Sequence, residues 1–254
     1  MHQLLSYIKF LFNSTNHHGV HSPFVYDFVT KCLYDKNQYS DYSKLSAYRN
    51  TLLRNGDIIV VEDLGSGSRK FKSNKRSTSQ MARTSSTPLK RAKLFYRLSK
   101  YFKPKNTLEL GTSLGVASHA LAIGHSDNRI VSIEGCPNTS LYAKTQLSKY
   151  ENINIITGAF ENIIPRLEQD CFDIIFFDGH HNKDATIAYF EALLPKANNH
   201  SIFVFDDIYW SKGMTEAWAY IKAHTSVTVT VDTFHLGFVF FRKEQAKQHF
   251  KIRL

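Results

Sequence analysis

Two glycine-bearing stretches could each turn the chain beneath a nucleotide: V-E-D-L-G-S-G-S-R-K at residues 61–70 and T-L-E-L-G-T-S-L-G at residues 107–115. Such a turn needs a strand before it and the N-terminus of a helix directly after it, where free backbone N–H groups face the ligand. The first stretch fails, because Gly65 and Gly67 lead into a run rich in Ser, Lys and Arg that lasts to residue 88. The second passes, since Gly111, Thr112, Ser113 and Gly115 run straight into V-A-S-H-A-L-A-I-G. Glu109 precedes this loop. The next strand pattern, I-V-S-I-E-G, carries Glu134 at its end, 23 residues after Gly111, where a carboxylate can accept hydrogen bonds from both hydroxyls of a ribose. The spacing predicts an adenosine-type ligand.

The pattern E-x-G-x-x-x-G places Ser113 where a dinucleotide fold needs a second glycine to approach its pyrophosphate. S-adenosylmethionine has no pyrophosphate and does not need that glycine. Two later apolar runs end in Asp178 and in Asp206-Asp207. Parallel strands bring such ends to one ligand-binding edge, so the three carboxylates are expected to converge there. His180, His181 and Lys183 follow Asp178 closely, and a histidine, with an ordinary pKa of about 6.5, suits removal of a hydroxyl proton near neutral pH.

These residues need a scaffold, and the sequence predicts one. Apolar, β-branched runs at 106–110, 129–133, 153–157, 172–177 and 201–205 alternate with helical patterns at 116–123, 140–149, 163–168 and 184–194. Units of this kind imply parallel strands joined by right-handed crossovers, with helices on both faces. After a helical pattern at 214–224, the runs S-V-T-V-T-V-D-T-F and L-G-F-V-F-F-R-K nearly abut, so they can only form an antiparallel hairpin. Trp218 has helical spacing with Met214 and Ile221 and reads as core, while Trp210 could wall a pocket.

The N-terminal part reads as helices at 4–12, 23–34 and 43–54, a strand at 58–61 and a helix at 89–102. Residues 66–88 have loop composition, and Gly65 and Gly67 are expected to be hinge or turn glycines of a flexible cover that closes over the ligand site. The domain expectation is a helical N-terminal extension over 1–88, including that loop, and an α/β domain over 89–254. His17, His18 and His21 cluster in N-H-H-G-V-H-S-P, but no cysteine lies nearby, so a polar loop at a helix entry is the simpler reading.

The net charge of +10 is local: residues 64–108 hold thirteen Lys and Arg and no Asp or Glu, leaving 19 basic against 22 acidic residues elsewhere. Such a segment attracts an anionic group on a substrate, or nucleic acid, whose binding would then weaken steeply with salt. With few aromatic residues interleaved for base stacking, the nucleic-acid reading is the alternative rather than the lead. No apolar run is long enough to span a membrane, and the first residues carry neither a basic leader nor a cleavage site, so a cytosolic protein is expected. Cys32, Cys136 and Cys171 have no metal or redox spacing and read as buried thiols.

Over residues 89–243 the chain resembles the class I S-adenosylmethionine-dependent methyltransferases, and most of all the small-molecule O-methyltransferases of the catechol type and their bacterial relatives. L-E-L-G-T-S-L-G-V-A-S resembles their first motif and I-V-S-I-E-G their second. I-I-T-G-A-F-E-N-I-I-P-R-L is similar to their adenine-framing segment, and F-D-I-I-F-F-D-G-H-H and I-F-V-F-D-D-I-Y-W to their fourth and fifth strands. The resemblance implies a Rossmann-like α/β fold with a mostly parallel seven-stranded sheet in the order 3-2-1-4-5-7-6. It further implies Gly111, Thr112, Ser113 and Gly115 around the methionine and ribose, Glu134 on the ribose, and Phe160 with Glu161 beside the adenine. Asp178 and His181 stand at the positions of the reacting groups. Asp178, Asp206 and Asp207 stand where the family holds Mg2+ or another divalent metal, although the family has Asn where this chain has Asp207. Methyl transfer to oxygen of a small-molecule acceptor is the implied activity.

Overall fold

The alternation of apolar runs and helical patterns is realised in the computed structural model, which describes residues 2–62 and 73–254. The chain divides into two units, Met1–Tyr34 with Leu167–Leu254, and Asp35–Arg166. The first unit begins with α1 (His2–Asn13) and α2 (Pro23–Phe28). Ser22 caps α2 by accepting a hydrogen bond from the Val25 N–H, and Pro23 fills the first turn, where its missing N–H costs nothing. A single π turn, Val29–Leu33, continues the helix, and Val29, Cys32 and Leu33 are buried.

In the Asp35–Arg166 unit, α3 (Tyr42–Arg54) leads to β1 (Ile58–Val60), which pairs antiparallel with β2 (Lys75–Ser77), and α4 (Thr78–Thr84) follows. The loop reading of 66–88 is therefore corrected over 75–84. The Ser77 hydroxyl accepts from the Gln80 N–H and starts α4, and Met81 and Ala82 are buried beneath it. Two apolar anchors suffice for a two-turn helix but vanish in the average composition of the segment. The hinge expected at Gly65 and Gly67 lies outside the described residues.

Next comes α5 (Leu89–Phe102), which buries Phe95 and Leu98 and ends on Lys103 in the left-handed region. A βαβαβ run completes the unit: β3 (Asn106–Leu110), α6 (Val116–Gly124), β4 (Arg129–Glu134), α7 (Pro137–Leu147) and β5 (Ile153–Thr157). The strands are parallel, with Glu109 opposite Ser132 and Glu134 opposite Thr157. The helix expected at 163–168 is instead α8 (Phe160–Ile163) and one 3-10 turn at Ile164–Arg166. Pro165 brings no backbone donor there, so a longer helix has one bond fewer to gain.

The other unit resumes with β6 (Ile174–Phe177), α9 (Lys183–Leu193), β7 (Ile202–Asp206), α10 (Lys212–Ala223), β8 (Val229–Asp232), β9 (Leu236–Phe240) and β10 (Gln248–Lys251). β6 and β7 are parallel, β9 runs antiparallel to both β7 and β8, and β10 lies parallel to β8. Within the two units the strands thus follow the 3-2-1 and the 4-5-7-6 parts of the expected order. The fold is a mixed, mostly parallel sheet with flanking helices and a terminal hairpin, as expected, and β10 adds one strand to the seven. Its sequence, Q-H-F-K, carries no apolar run, because the pairing is made by backbone groups. The core of this unit is aromatic: Phe176, Phe203, Phe205, Phe238 and Phe240 are fully buried, each contributing about 1.5–3 kcal/mol relative to exposure. Phe28 of α2 packs edge-on against Phe238 and Phe240. Trp218 is core as read, and a Cβ at Gly237 would come within 2.7 Å of its ring. Among the described residues no helix is long and apolar enough to cross a membrane.

Candidate functional site

The loop between β3 and α6 is held by its own backbone and by one carboxylate. Gly111, at φ 104°, donates its N–H to Ile133 O at 2.9 Å, and the Gly115 N–H reaches Thr112 O at 2.8 Å to close the turn. Glu134, at the end of the neighbouring parallel strand, accepts from the Ser113 N–H at 2.8 Å on Oε2 and from the Cys136 N–H at 3.0 Å on Oε1. Gly115 (φ 72°) starts α6 from the left-handed region, and a Cβ there would lie 2.5 Å from Leu147 Cδ1. Gly115→Ala is expected to cost about 2–4 kcal/mol from the left-handed backbone and the forced contact together. At this size that is a fall in melting temperature of about 5–15 °C, readable by calorimetry.

Beneath the loop sits a polar group enclosed by apolar residues. Glu109 is fully buried; its Oε2 accepts from Ser118 Oγ and, at 2.5 Å, from Ser132 Oγ, while Ser132 Oγ also lies 2.6 Å from Thr112 Oγ1. Glu109 Oε1 is buried with no hydrogen-bond partner. Burial pushes the Glu109 carboxyl up to about 7; the two serine hydroxyls oppose that rise, and the Glu134 charge adds to it. Ser118 and Ser132 escaped the sequence reading. Their signal was present as single hydroxyls inside otherwise apolar stretches, V-A-S-H-A-L and R-I-V-S-I-E.

Of the residues expected around the cofactor, Glu109, Gly111, Thr112, Ser113, Gly115 and Glu134 thus gather in one βαβ unit. Phe160 opens α8 and is buried, and Glu161 beside it is exposed. Asp178 belongs to the other unit. It follows β6 directly, and its Oδ1 stands 3.7 Å from His181 Nε2. His180 and His181 sit at φ 65° and 36°, and Asn182 then caps α9 by accepting from the N–H groups of Asp184 and Ala185. The His180 ring meets Tyr189 edge-on at 5.7 Å, and Lys183 is engaged by Glu216 at 2.7 Å. Asp206 is buried at the end of β7; Asp207 (φ 51°) donates its N–H to His235 O at 2.8 Å.

Six non-glycine residues among those described have positive φ, and four of them, Ser113, His180, His181 and Asp207, are at these strand ends. Each such conformation costs about 1–3 kcal/mol and persists where surrounding structure enforces it, as functional sites do. Among the described residues no group of three His, Cys, Asp or Glu side chains is arranged to hold a metal ion, and this covers Asp178, Asp206, Asp207 and the His17, His18, His21 cluster. His17 instead packs against the rings of His18, Tyr26 and Tyr34. Trp210 is half-buried.

Residues 108–208 match a family model described as a methyltransferase domain. No curated protein matches the chain in sequence. Among solved structures, the SAH-bound Podospora anserina methyltransferase PaMTH1 is similar with a TM-score of 0.60 at 16% identity, over 88% of this chain and 97% of that one. The O-methyltransferase TomG from Streptomyces achromogenes, in complex with SAM, gives 0.57 at 17% identity over 81% and 91%. The O-methyltransferase from Bacillus cereus, in complex with SAH, gives 0.53 at 17% identity over 81% and 92%. The chain therefore shares the Rossmann-like fold of these methyltransferases, and its residues 108–208 match the methyltransferase-domain model.

Proposed function

We propose that this protein transfers the methyl group of S-adenosylmethionine to a hydroxyl oxygen of a small-molecule acceptor. The observation that carries the reading is the Glu134 carboxylate, fixed by two backbone N–H donors beside the glycine loop, where it can take the ribose hydroxyls. The residues fit the cofactor on a second count. The buried, unpartnered Glu109 Oε1 is an acceptor waiting for a donor, and the cofactor's α-ammonium group supplies one. Gly111 and Gly115 keep the loop backbone free of side chains. Phe160 and Glu161 are assigned to the adenine.

When bound, S-adenosylmethionine supplies an electrophilic methyl on a sulfonium. The remaining work falls to the chain. His181 takes the proton of the acceptor hydroxyl as the oxygen–methyl bond forms and the sulfur–methyl bond breaks, leaving a methyl ether and S-adenosylhomocysteine. Asp178, whose Oδ1 lies 3.7 Å from His181 Nε2, orients that ring. No step is routed through a divalent ion, since Asp178, Asp206 and Asp207 do not assemble as a ligand set among the described residues. The O-methyltransferase relatives, one of them involved in tomaymycin synthesis, support oxygen as the acceptor atom and a small molecule as its carrier. The basic character of residues 64–108 extends the reading to an acceptor with an anionic group. Cys32 and Cys136 are buried as read, whereas Cys171 is only half-buried, and three free thiols support work in a reducing compartment such as the cytosol.

The test is titration with S-adenosylhomocysteine, followed by methylation of a panel of catechols, phenols and hydroxy acids. His181→Ala is expected to slow turnover by about 10²–10⁴-fold with S-adenosylhomocysteine affinity unchanged. Wild-type turnover by that variant across the pH range removes His181 from the reaction.

A further inference from the structure

We propose that Tyr48, on helix α3, is a positioning residue for the cofactor loop. Its phenol donates a hydrogen bond to the Leu114 carbonyl at 2.7 Å. Leu114 lies between Ser113 (φ 49°) and Gly115 (φ 72°), two residues in the left-handed region, and its side chain is fully buried. The first helical bond of α6 runs from the His119 N–H to the Gly115 carbonyl, so the Leu114 carbonyl falls just outside the helix ladder and takes Tyr48 as its partner. The loop is then pinned on both sides of its tightest point: the Ser113 N–H by Glu134, the Leu114 carbonyl by Tyr48.

The tyrosine is itself held in place. Its ring packs 4.8 Å from that of His119, whose Nε2 lies 2.7 Å from Tyr150 Oη, and it borders the apolar cluster of Ala143, Leu147 and Ile155. Burial pushes the Tyr48 phenol further above neutral pH, so it stays a donor. Burial also pushes His119 down to about 4, with Lys149 and Lys44 adding to the fall, so this neighbour stays neutral near pH 7. A loop fixed in this way loses little freedom when a ligand arrives, which improves affinity without touching the ligand.

The inference rests on the reading of residues 111–115 as the S-adenosylmethionine loop. Tyr48→Phe keeps the ring packing and deletes the hydroxyl; Tyr150→Phe deletes a hydroxyl from the same cluster but leaves the loop anchor. Calorimetric titration with S-adenosylhomocysteine is expected to show affinity lowered roughly three- to tenfold by Tyr48→Phe and unchanged by Tyr150→Phe. KM for the methyl donor should rise with it while kcat holds. Without ligand, amide exchange at Ser113, Leu114 and Gly115 is expected to quicken in Tyr48→Phe alone. A folded Tyr48→Phe protein with wild-type affinity and wild-type exchange overturns the proposal, as does an equal loss in both variants. A wild-type protein that binds no S-adenosylhomocysteine overturns the cofactor reading instead, and the exchange measurement then still decides the anchor.

Discussion

Glu134→Gln lowers the affinity for S-adenosylhomocysteine by about a hundredfold, through two losses that act together. The first is in the protein. Both Glu134 oxygens accept backbone N–H groups, from Ser113 and Cys136, and a glutamine can offer only one oxygen. Its NH2 must face the other N–H, so one donor is left without a partner and the loop relaxes. The second loss is in the proposed complex, where hydrogen bonds from ribose hydroxyls to a carboxylate would become bonds to a neutral amide; a bond to a charged acceptor is worth about 1.5–3 kcal/mol, a neutral one about 1 kcal/mol. Titration of the purified variant checks this, with circular dichroism to confirm folding. Undiminished affinity would falsify the ribose assignment.

Glu109 makes a contribution of its own to the pH dependence of stability, opposed at acid pH by His119, whose lowered value favours the folded state as pH rises from about 4 to 6.5. Its carboxyl is raised from the ordinary 4.5 to about 7 by burial. Below pH 4.5 the group is protonated in both folded and unfolded chains and no penalty exists. As pH rises from about 4.5 to 7 the unfolded chain loses this proton while the folded chain keeps it, so the folded state is progressively disfavoured until its own carboxyl ionises. The stabilisation present at low pH is thus lost by pH 7, an effect of about 3 kcal/mol. Glu109→Gln cannot titrate, retains an oxygen for the two serine hydroxyls and removes this contribution. Melting temperatures across pH 5–8 should therefore fall more steeply for the wild type than for Glu109→Gln. Parallel curves would mean that Glu109 titrates near its ordinary value.

Much of the fold was legible because the central strands are covered on both faces and read as continuous apolar runs, F-D-I-I-F-F-D and S-I-F-V-F-D-D among them. The glycine turn before α6 was legible for a related reason: a backbone turning into a helix N-terminus admits few residue types, so Gly111 and Gly115 mark it, and Glu134 follows at the end of the next strand. What stayed hidden depends on backbone pairing or on distant partners. β10 pairs through its main chain, so Q-H-F-K announces nothing. Ser118 and Ser132 matter only because the strand register and the helix pitch deliver both to Glu109. Tyr48 is 66 residues from Leu114, and nothing in S-A-Y-R-N foretells the contact. The basic segment was legible only as composition, which does not foretell its contacts: Lys93 lies over the Tyr42 ring, Lys100 over Tyr39, and Arg97 donates to the Tyr42 hydroxyl.

The short strand β10 also guards the border of its unit. β8 beside it, V-T-V-D, is buried along its whole length, and a bare flank on such a strand is a template for pairing with another molecule. Gln248 and His249 present an exposed polar rim in its place, and the Thr15 bridge to Ile252 occupies the chain just beyond. β10 therefore covers the flank of β8 with its own backbone and leaves polar side chains on the outside.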